Sequence, residues 1–533
     1  MADGIVLVGL PGSGKSTVGR LVANRLGRPF IDLDTEIHNR NGRSPAAVLD
    51  EHGEAAFRAV EREAVSGACS VPGAVIATGG GAPLDPLNRW QLMRHGARVR
   101  LDADVTVLAQ RLAADGVARP LLGDDLGAGL GRTSRERSAV YAAVDVTVDA
   151  TAEPEDVAAA VIKAAGRTDP EDWRPLFDTH FTRHHPVGPE RGRLMAGVGL
   201  TAASLESALD GLGGGRPATL ADREALDANP ALADALPIGR RCAIPGGEQA
   251  KTFDELQRVL SWLSDSGTER SDPLLVAGGG TLGDLGGLAA ALHHRGMPLV
   301  HIPTTWLAQA DSAIGGKVAI DLPGAKNAVG AFWPAWLIVS DFALLSTLPL
   351  ERRRDGLVEC LKAGLIGDAE LWRLVEERGA AALAGEDPAA AYAITERAIR
   401  VKLAIVDRDP FERGERRVLN LGHTLGHALE VESRYTLAHG AAVALGLRAV
   451  AAIAHGRGAD AELAENLDAV LDSLGFDLRR RFDRQAVIQA LTSDKKRAAR
   501  RQRWILPMAV GRVIEVDDVS DTELDLALAA IAA

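Results

Sequence analysis

"IVLVGLPGSGKSTVGRLVANRLG" (residues 5–27) reads as a buried strand, a glycine-rich turn and an amphipathic helix, in that order. Within it, "GLPGSGKST" (9–17) fits G-x-x-x-x-G-K-[ST] in the strand-then-helix context the motif requires. Backbone N–H groups of Gly12, Ser13 and Gly14, together with the helix N-terminus, surround phosphates. Lys15 adds charge, Ser16 is placed to ligate Mg²⁺, and Thr17 follows in the first turn. The motif predicts ATP binding and is silent on which hydroxyl accepts the phosphate.

Outward from this stretch, "AVIATGG" and "ARVRLDA" read as further strands alternating with helical patterns, which predicts a parallel α/β sheet. "AEPEDVAAAVIKAAG" (152–166) has the period of a last helix and a glycine stop. Residues 167–184, rich in proline, charge and aromatics, read as a linker. A second α/β pattern, 185–347, runs through "PLLVAGGGTLGDLGG" and "PLVHIPTT" and predicts a Rossmann-like subdomain. From 348 to 533 long Ala/Leu/Arg periods predict an all-helical subdomain.

The bulk numbers agree with several domains, since 533 residues exceed what one hydrophobic core supports. A net charge of -12 argues against nucleic acid as a partner, because phosphate neutralisation needs a basic surface. Three scattered cysteines, Cys69, Cys242 and Cys360, make neither a disulfide framework nor a thiolate metal site. No apolar run reaches the roughly 18 residues of a membrane span, and the first residues carry no signal segment. These features predict a cytoplasmic chain without a membrane partner.

Several stretches after the P-loop suggest the phosphate acceptor. "FIDLD" (30–34) carries Asp32 and Asp34, "GEAAFRAVE" (53–61) carries Arg58, and "TGGGAP" (78–83) carries Gly79, Gly80 and Gly81. "ARPLL" (118–122) and "RSAVY" (137–141) add Arg119 and Arg137. In this order the stretches resemble shikimate kinase, over roughly residues 4–165. The resemblance implies that Asp34, Arg58, the Gly79–Gly81 turn and Arg137 hold shikimate. It makes Asp32 a partner of Mg²⁺ and its waters, and Arg119 a lid residue that closes on ATP. Lys15, Asp34 and Arg119 are then the catalytic set.

"LNLGHTLGHALE" (419–430) sets His423 and His427 one helical turn apart on one face, the obvious metal pair. The glutamate of an HExxH site is missing between them. "PGGEQAKT" (245–252), "HIPTTWLAQADSAIGGKVAIDLPGAKNAVGAF" (301–332) and "GLVECLKAGLI" (356–366) widen the context, and with them residues 185–510 resemble 3-dehydroquinate synthase. The resemblance implies a zinc (or cobalt) site of Glu359, His423 and His439, with His427 turned to the substrate phosphate. It implies NAD contacts from Asp222, Glu248, Lys251, Gly278, Gly279, Gly280, Asp284, Thr304, Thr305, Lys317 and Lys326. The substrate, 3-deoxy-D-arabino-heptulosonate 7-phosphate, would meet Lys326, Asn327, Lys362, Lys402, Arg416, Asn420, His427, Lys495 and Lys496. Arg295 of a neighbouring subunit would complete this set in a homodimer. Asp311, Lys317, Lys362, Lys402 and His427 are the implied catalytic residues of the cyclisation. By that resemblance C5 is oxidised by NAD⁺, phosphate is eliminated, the hydride returns, and the ring closes as an aldol. Ala441 stands where the family often has glutamate. Two alternatives remain at this stage: a cyclase for another sugar phosphate such as sedoheptulose 7-phosphate, and a half that only binds ligand or holds a dimer together.

Overall fold

The computed structural model describes residues 3–115, 122–123, 125–169, 172–212, 215–323, 325–498 and 502–533. The chain divides into two units, Met1–His180 with Arg193–Ala208, and Phe181–Gly192 with Leu209–Ala533.

In the first unit five parallel strands lie in the order Phe30–Asp32, Val75–Ala77, Gly4–Val8, Gly96–Asp102, Val146–Asp149. The central strand, GIVLV, is buried throughout, as a parallel strand covered on both faces must be. Its side chains alternate. Ile5 and Leu7 pack with Val18 and Val22 of helix Lys15–Leu26 and with Val157 and Val161 of helix Pro154–Ala165. Val6 and Val8 pack on the opposite face with Ile37, Ala64, Val65 and Leu92. Each fully buried Val or Leu contributes roughly 1.5–3 kcal/mol.

The stretch read as a linker holds a strand, Arg174–Thr182, followed by a second, Arg191–Val198. Arg174 is buried and donates to both carboxylate oxygens of Asp145 (2.9 Å each) and to the carbonyls of Met93 and Gly96. Asp145 also receives Arg98 at 2.7 Å. Burial pushes the Asp145 carboxyl up, but the two guanidinium groups outweigh it and hold the group below the usual carboxylate range. Arg174, Pro175 and Asp178, part of what made the segment look structureless, lie within an anchored strand. The boundary expected at 184/185 also falls elsewhere, because the chain passes between the units at 180/181, 192/193 and 208/209.

In the second unit parallel strands run in the order Leu337–Asp341, Leu299–Pro303, Leu274–Gly278, Ala218–Asp222, Arg241–Ile244. Helices Leu350–Gly367, Ala369–Ala384, Pro388–Arg408, His423–Glu432 and His439–Gly456 follow. The region is not all-helical, since Trp504–Ala509 pairs antiparallel with Arg512–Val516. "WILPMAVGRVIEV" is a hairpin whose Gly511 takes φ 78°, with Trp504, Ile505 and Leu506 buried. Helix His439–Gly456 is apolar over most of its surface and forms the buried centre of the helical region.

Candidate active sites

The glycine-rich turn follows strand Gly4–Val8, with Gly12 (φ 83°) and Gly14 (φ 85°) in the left-handed region. Lys15 donates from Nζ to the carbonyls of Gly9 (2.9 Å) and Leu10 (3.0 Å), which holds the ammonium over the turn. Ser16 and Thr17 open helix Lys15–Leu26 beside it. Asp32 ends its strand and caps helix Leu33–Asn41, accepting from the N–H groups of Asp34 (3.1 Å) and Thr35 (3.4 Å). Asp34 therefore stands on the first turn of that helix, two residues beyond the end of the strand.

The turn after strand Val75–Ala77 gathers the other residues of the set. A Cβ at Gly79 would sit 2.7 Å from Asp34 Oδ1, one at Gly80 2.7 Å from Arg137 Nη1, and one at Gly81 3.0 Å from Arg58 Nη1. Arg137 donates to the Gly80 carbonyl, and Tyr141, one turn on, donates to Gly80 O (2.9 Å) and Gly9 O (3.2 Å). Glu61, 2% exposed, accepts from Arg58 at 2.7 Å. Burial raises its carboxyl pKa while Arg58 pulls it down. Neither Glu61 nor Tyr141 figured in the sequence reading, although each lies one turn from an arginine that did. Arg119 lies outside the described residues.

In the second unit, the glycines Gly278, Gly279 and Gly280 lead from strand Leu274–Gly278 into helix Gly280–Leu292. Asp222 ends a neighbouring parallel strand, and Thr304 and Thr305 follow another, so these groups share the carboxyl edge of the sheet. Lys251 is buried and donates to Asp284 (2.7 Å) and to the Asn327 side chain. Lys326 pairs with Glu248 at 3.4 Å. The hairpin Lys317–Leu322/Ala325–Phe332 thus delivers Lys326 and Asn327 to the cofactor groups.

Glu359, His423 and His439 bring their donor atoms within 4.8 Å of one another. Each element contributes one ligand: the middle of Leu350–Gly367, and the first residues of His423–Glu432 and His439–Gly456. The last two helices meet through glycine. A Cβ at Gly446 would lie 2.0 Å from the Gly422 carbonyl, and one at Gly426 3.0 Å from that of Ala442. The outer nitrogens are anchored, His423 Nδ1 donating to Leu421 O (3.0 Å) and His439 Nδ1 to Glu430 (3.3 Å). Both Nε2 atoms then face Glu359 Oε1, at 3.4 and 3.2 Å. One oxygen and two imidazole nitrogens are the donor set of a catalytic zinc site with an open position. Against the cost of burial, Glu359 and Glu430 push the His439 imidazole up to about 10, a field suited to a cation. His427 stands beside the three ligands, its ring centroid 5.2 Å from that of His423. Burial and the neighbouring His423 push its pKa down to about 4, so the ring is neutral.

A chain of charge surrounds the three ligands. Lys362, on the same helical face, pairs with Glu359, and Lys402 of helix Pro388–Arg408 pairs with Asp311. Asp311 lies in one turn of π-helix, Ala308–Ser312, a distortion often found at functional sites. Burial raises the Asp311 carboxyl, but Lys402 and Lys362 hold it below its ordinary value; burial in turn lowers Lys402. Three of the remaining expected residues make their hydrogen bonds to groups outside the metal cluster. Arg416, 1% exposed, donates to the carbonyls of Pro410 (2.6 Å) and Gly315 (3.0 Å). Lys317 pairs with Glu412 at 2.5 Å, and Asn420 donates to the same carboxylate at 3.3 Å. Glu412 left no signal in the sequence, being one of many charges in a loop. Arg295 occupies a turn in which His294, Arg295 and Gly296 all take positive φ. Lys495 and Lys496 lie in helix Arg484–Ala498, with side chains outside the described residues.

Comparison with known proteins assigns both halves. The shikimate kinase family model matches residues 11–165, and the models of 3-dehydroquinate synthase, N-terminal and C-terminal, match 241–355 and 356–497. A 3-dehydroquinate synthase of Dehalococcoides mccartyi (strain CBDB1) is 38% identical over 278 residues, 52% of this chain and 77% of the relative. The chain belongs to the 3-dehydroquinate synthase family. A 3-dehydroquinate synthase of Xanthomonas campestris pv. campestris (strain 8004) is 39% identical over 287 residues, again 52% of this chain and 77% of the relative. Among solved structures, ValA, a 2-epi-5-epi-valiolone synthase of Streptomyces hygroscopicus subsp. jinggangensis 5008 with NAD⁺ and Zn²⁺ bound, is 28% identical. It covers 65% of this chain and 98% of its own at a TM-score of 0.59. The chain thus joins a shikimate kinase domain to a 3-dehydroquinate synthase, and carries kinase and lyase activities. No helix among the described residues is long and apolar enough to cross a membrane.

Proposed function

We propose that the first unit phosphorylates shikimate with Mg²⁺-bound ATP. We propose likewise that the second converts 3-deoxy-D-arabino-heptulosonate 7-phosphate to 3-dehydroquinate, as a homodimer to which Arg295 contributes across subunits. The observation that carries the reading is the Glu359, His423 and His439 cluster set beside Lys362, Lys402 and Asp311. Bound zinc supplies Lewis-acid polarisation of the substrate hydroxyls, and bound NAD⁺ supplies a hydride acceptor. The chain's own groups do the rest. Lys402 and Arg416 recognise the carboxylate, Asn420 and neutral His427 donate to the phosphate, and Asp311 hydrogen-bonds the hydroxyls next to the metal. Lys251, Asp284, Glu248 and Lys326 orient the cofactor. In the kinase, Asp34 accepts from the attacking hydroxyl, Arg58 and Arg137 clamp shikimate's carboxylate, and Lys15 neutralises charge on the transferring phosphoryl group.

Phosphate release from zinc-loaded protein with NAD⁺ tests the synthase reading, with heptulosonate 7-phosphate and sedoheptulose 7-phosphate offered in parallel. Chelator-sensitive release from the heptulosonate is expected. Release from the sedoheptulose alone would transfer the second unit to a different cyclase activity.

A further inference from the structure

Lys326 and His439 belong to different sets, one for cofactor and one for metal, and a single carboxylate oxygen meets both. Glu430 lies three residues after His427 on helix His423–Glu432 and is 3% exposed. Its Oε1 is 3.3 Å from His439 Nδ1 and 3.5 Å from Lys326 Nζ. Lys326 reaches on to Glu248 Oε1 at 3.4 Å, and its ammonium stands 4.5 Å from the centroid of the Tyr435 ring.

The backbone after the helix is bent to make this arrangement. Arg434 (φ 53°) and Tyr435 (φ 61°) are consecutive non-glycine residues in the left-handed region, which bulky side chains rarely enter. The Tyr435 N–H donates to the Glu430 carbonyl at 2.7 Å, closing the turn that lays the ring against Lys326. Glu430 therefore supplies both the carboxylate that Lys326 meets and the backbone acceptor that places the ring on its other side.

We propose that Glu430 is a positioning residue that couples metal binding to cofactor binding. The proposal rests on the reading that zinc sits at Glu359, His423 and His439 and that NAD⁺ binds beside Lys326. A metal on His439 Nε2 fixes the imidazole, whose Nδ1–H then fixes Glu430 Oε1. A fixed Oε1 holds Lys326 between Glu430, Glu248 and the Tyr435 ring, in place for the cofactor. Without the metal the His439 ring is held only by its hydrogen bonds to Glu359 and Glu430, a looser constraint than a metal bond adds. The effect is reciprocal, as any coupling between two binding equilibria must be.

The test measures NAD⁺ dissociation constants by titration with and without saturating zinc, for the full chain and for Glu430→Gln. Zinc affinity is measured separately by competition with a chromophoric chelator. In the wild-type chain zinc is expected to tighten NAD⁺ binding about 5-fold or more. In E430Q the zinc effect on NAD⁺ should fall below about 2-fold, and zinc itself should bind roughly 10- to 100-fold more weakly. Tyr435→Leu should weaken NAD⁺ binding while leaving zinc affinity unchanged. A zinc effect on NAD⁺ that is as large in E430Q as in the wild type overturns the proposal. So does a wild-type chain that binds both ligands independently. A wild-type chain that binds no zinc or no NAD⁺ overturns the functional reading underneath, a separate result. Should E430Q fail to fold, Glu430→Asp, too short to meet both partners, takes its place with the same two outcomes.

Discussion

Asp284 shares an ion pair with Lys251 at the start of the cofactor groups. Burial pushes its carboxyl up to about 6, with Lys251 pulling the other way. A carboxyl raised in this way holds its proton more tightly in the folded chain than in the unfolded one. Its contribution to stability is therefore complete below the ordinary carboxyl range, near pH 4, and is lost as pH rises through about 6. Unfolding midpoints followed from pH 4 to 8 should show a step of lost stability in the wild type that Asp284→Asn lacks. The glycine turn of the kinase gives a second prediction at this scale. Methyl groups at Gly79, Gly80 and Gly81 would meet only the far ends of Asp34, Arg137 and Arg58, which can swing aside. Alanine at any of the three should leave the unfolding temperature nearly unchanged and raise the KM for shikimate, each variant displacing a different binding group. Residues of this kind are legible in a sequence when their type is rare for their setting, as with Lys15 or the three glycines. Glu430 and Glu61 were missed because a glutamate on a helix is ordinary until burial is known, and burial is not a local property.

At the scale of elements, the metal ligands depend on how closely two helices approach. Gly446 of helix His439–Gly456 lies against the Gly422 carbonyl, which is backbone and cannot swing away. Gly446→Ala should therefore push the helices apart and weaken zinc binding by on the order of 10-fold or more, the cost of disturbing supports behind the ligands. Competition with a chromophoric chelator reads this directly, and an unchanged affinity would mean the helices carry slack. The buried pair Arg174–Asp145 gives the matching case in the first unit. Arg174→Met removes one of two guanidinium partners of buried Asp145; with Arg98 still paired, the cost should fall below the roughly 3–5 kcal/mol of a fully broken buried pair. Calorimetry should show the destabilisation in the kinase transition, while Leu176→Met, a volume-conserving change in the same strand, should cost less than about 1.5 kcal/mol. Helices and central strands here follow apolar periodicity that a sequence displays. The strand at 174 does not, because what fixes it is a long-range ion pair to a residue 29 positions away.

For the molecule as a whole, the two chemistries draw on disjoint residues. Lys15→Met should reduce shikimate-dependent ATP turnover roughly 100-fold or more, leaving phosphate release from heptulosonate 7-phosphate in place. Glu359→Gln should do the reverse, and both assays on the same preparations check it. Both family identities were readable because phosphate cradles and metal ligands are short, dense signals. The division of the chain was not, since membership of a unit is decided by packing between segments far apart in sequence. The chain leaves the first unit at His180 and returns to it for Arg193–Ala208 before continuing into the second. That path has a consequence during synthesis. A ribosome that has just released the last kinase helix, Pro154–Ala165, has delivered every expected shikimate-binding group, yet neither Arg174 nor the returning segment has emerged. At roughly 5–20 residues per second the nascent kinase waits on the order of a second for Arg174. Until then buried Asp145 has Arg98 as its guanidinium partner.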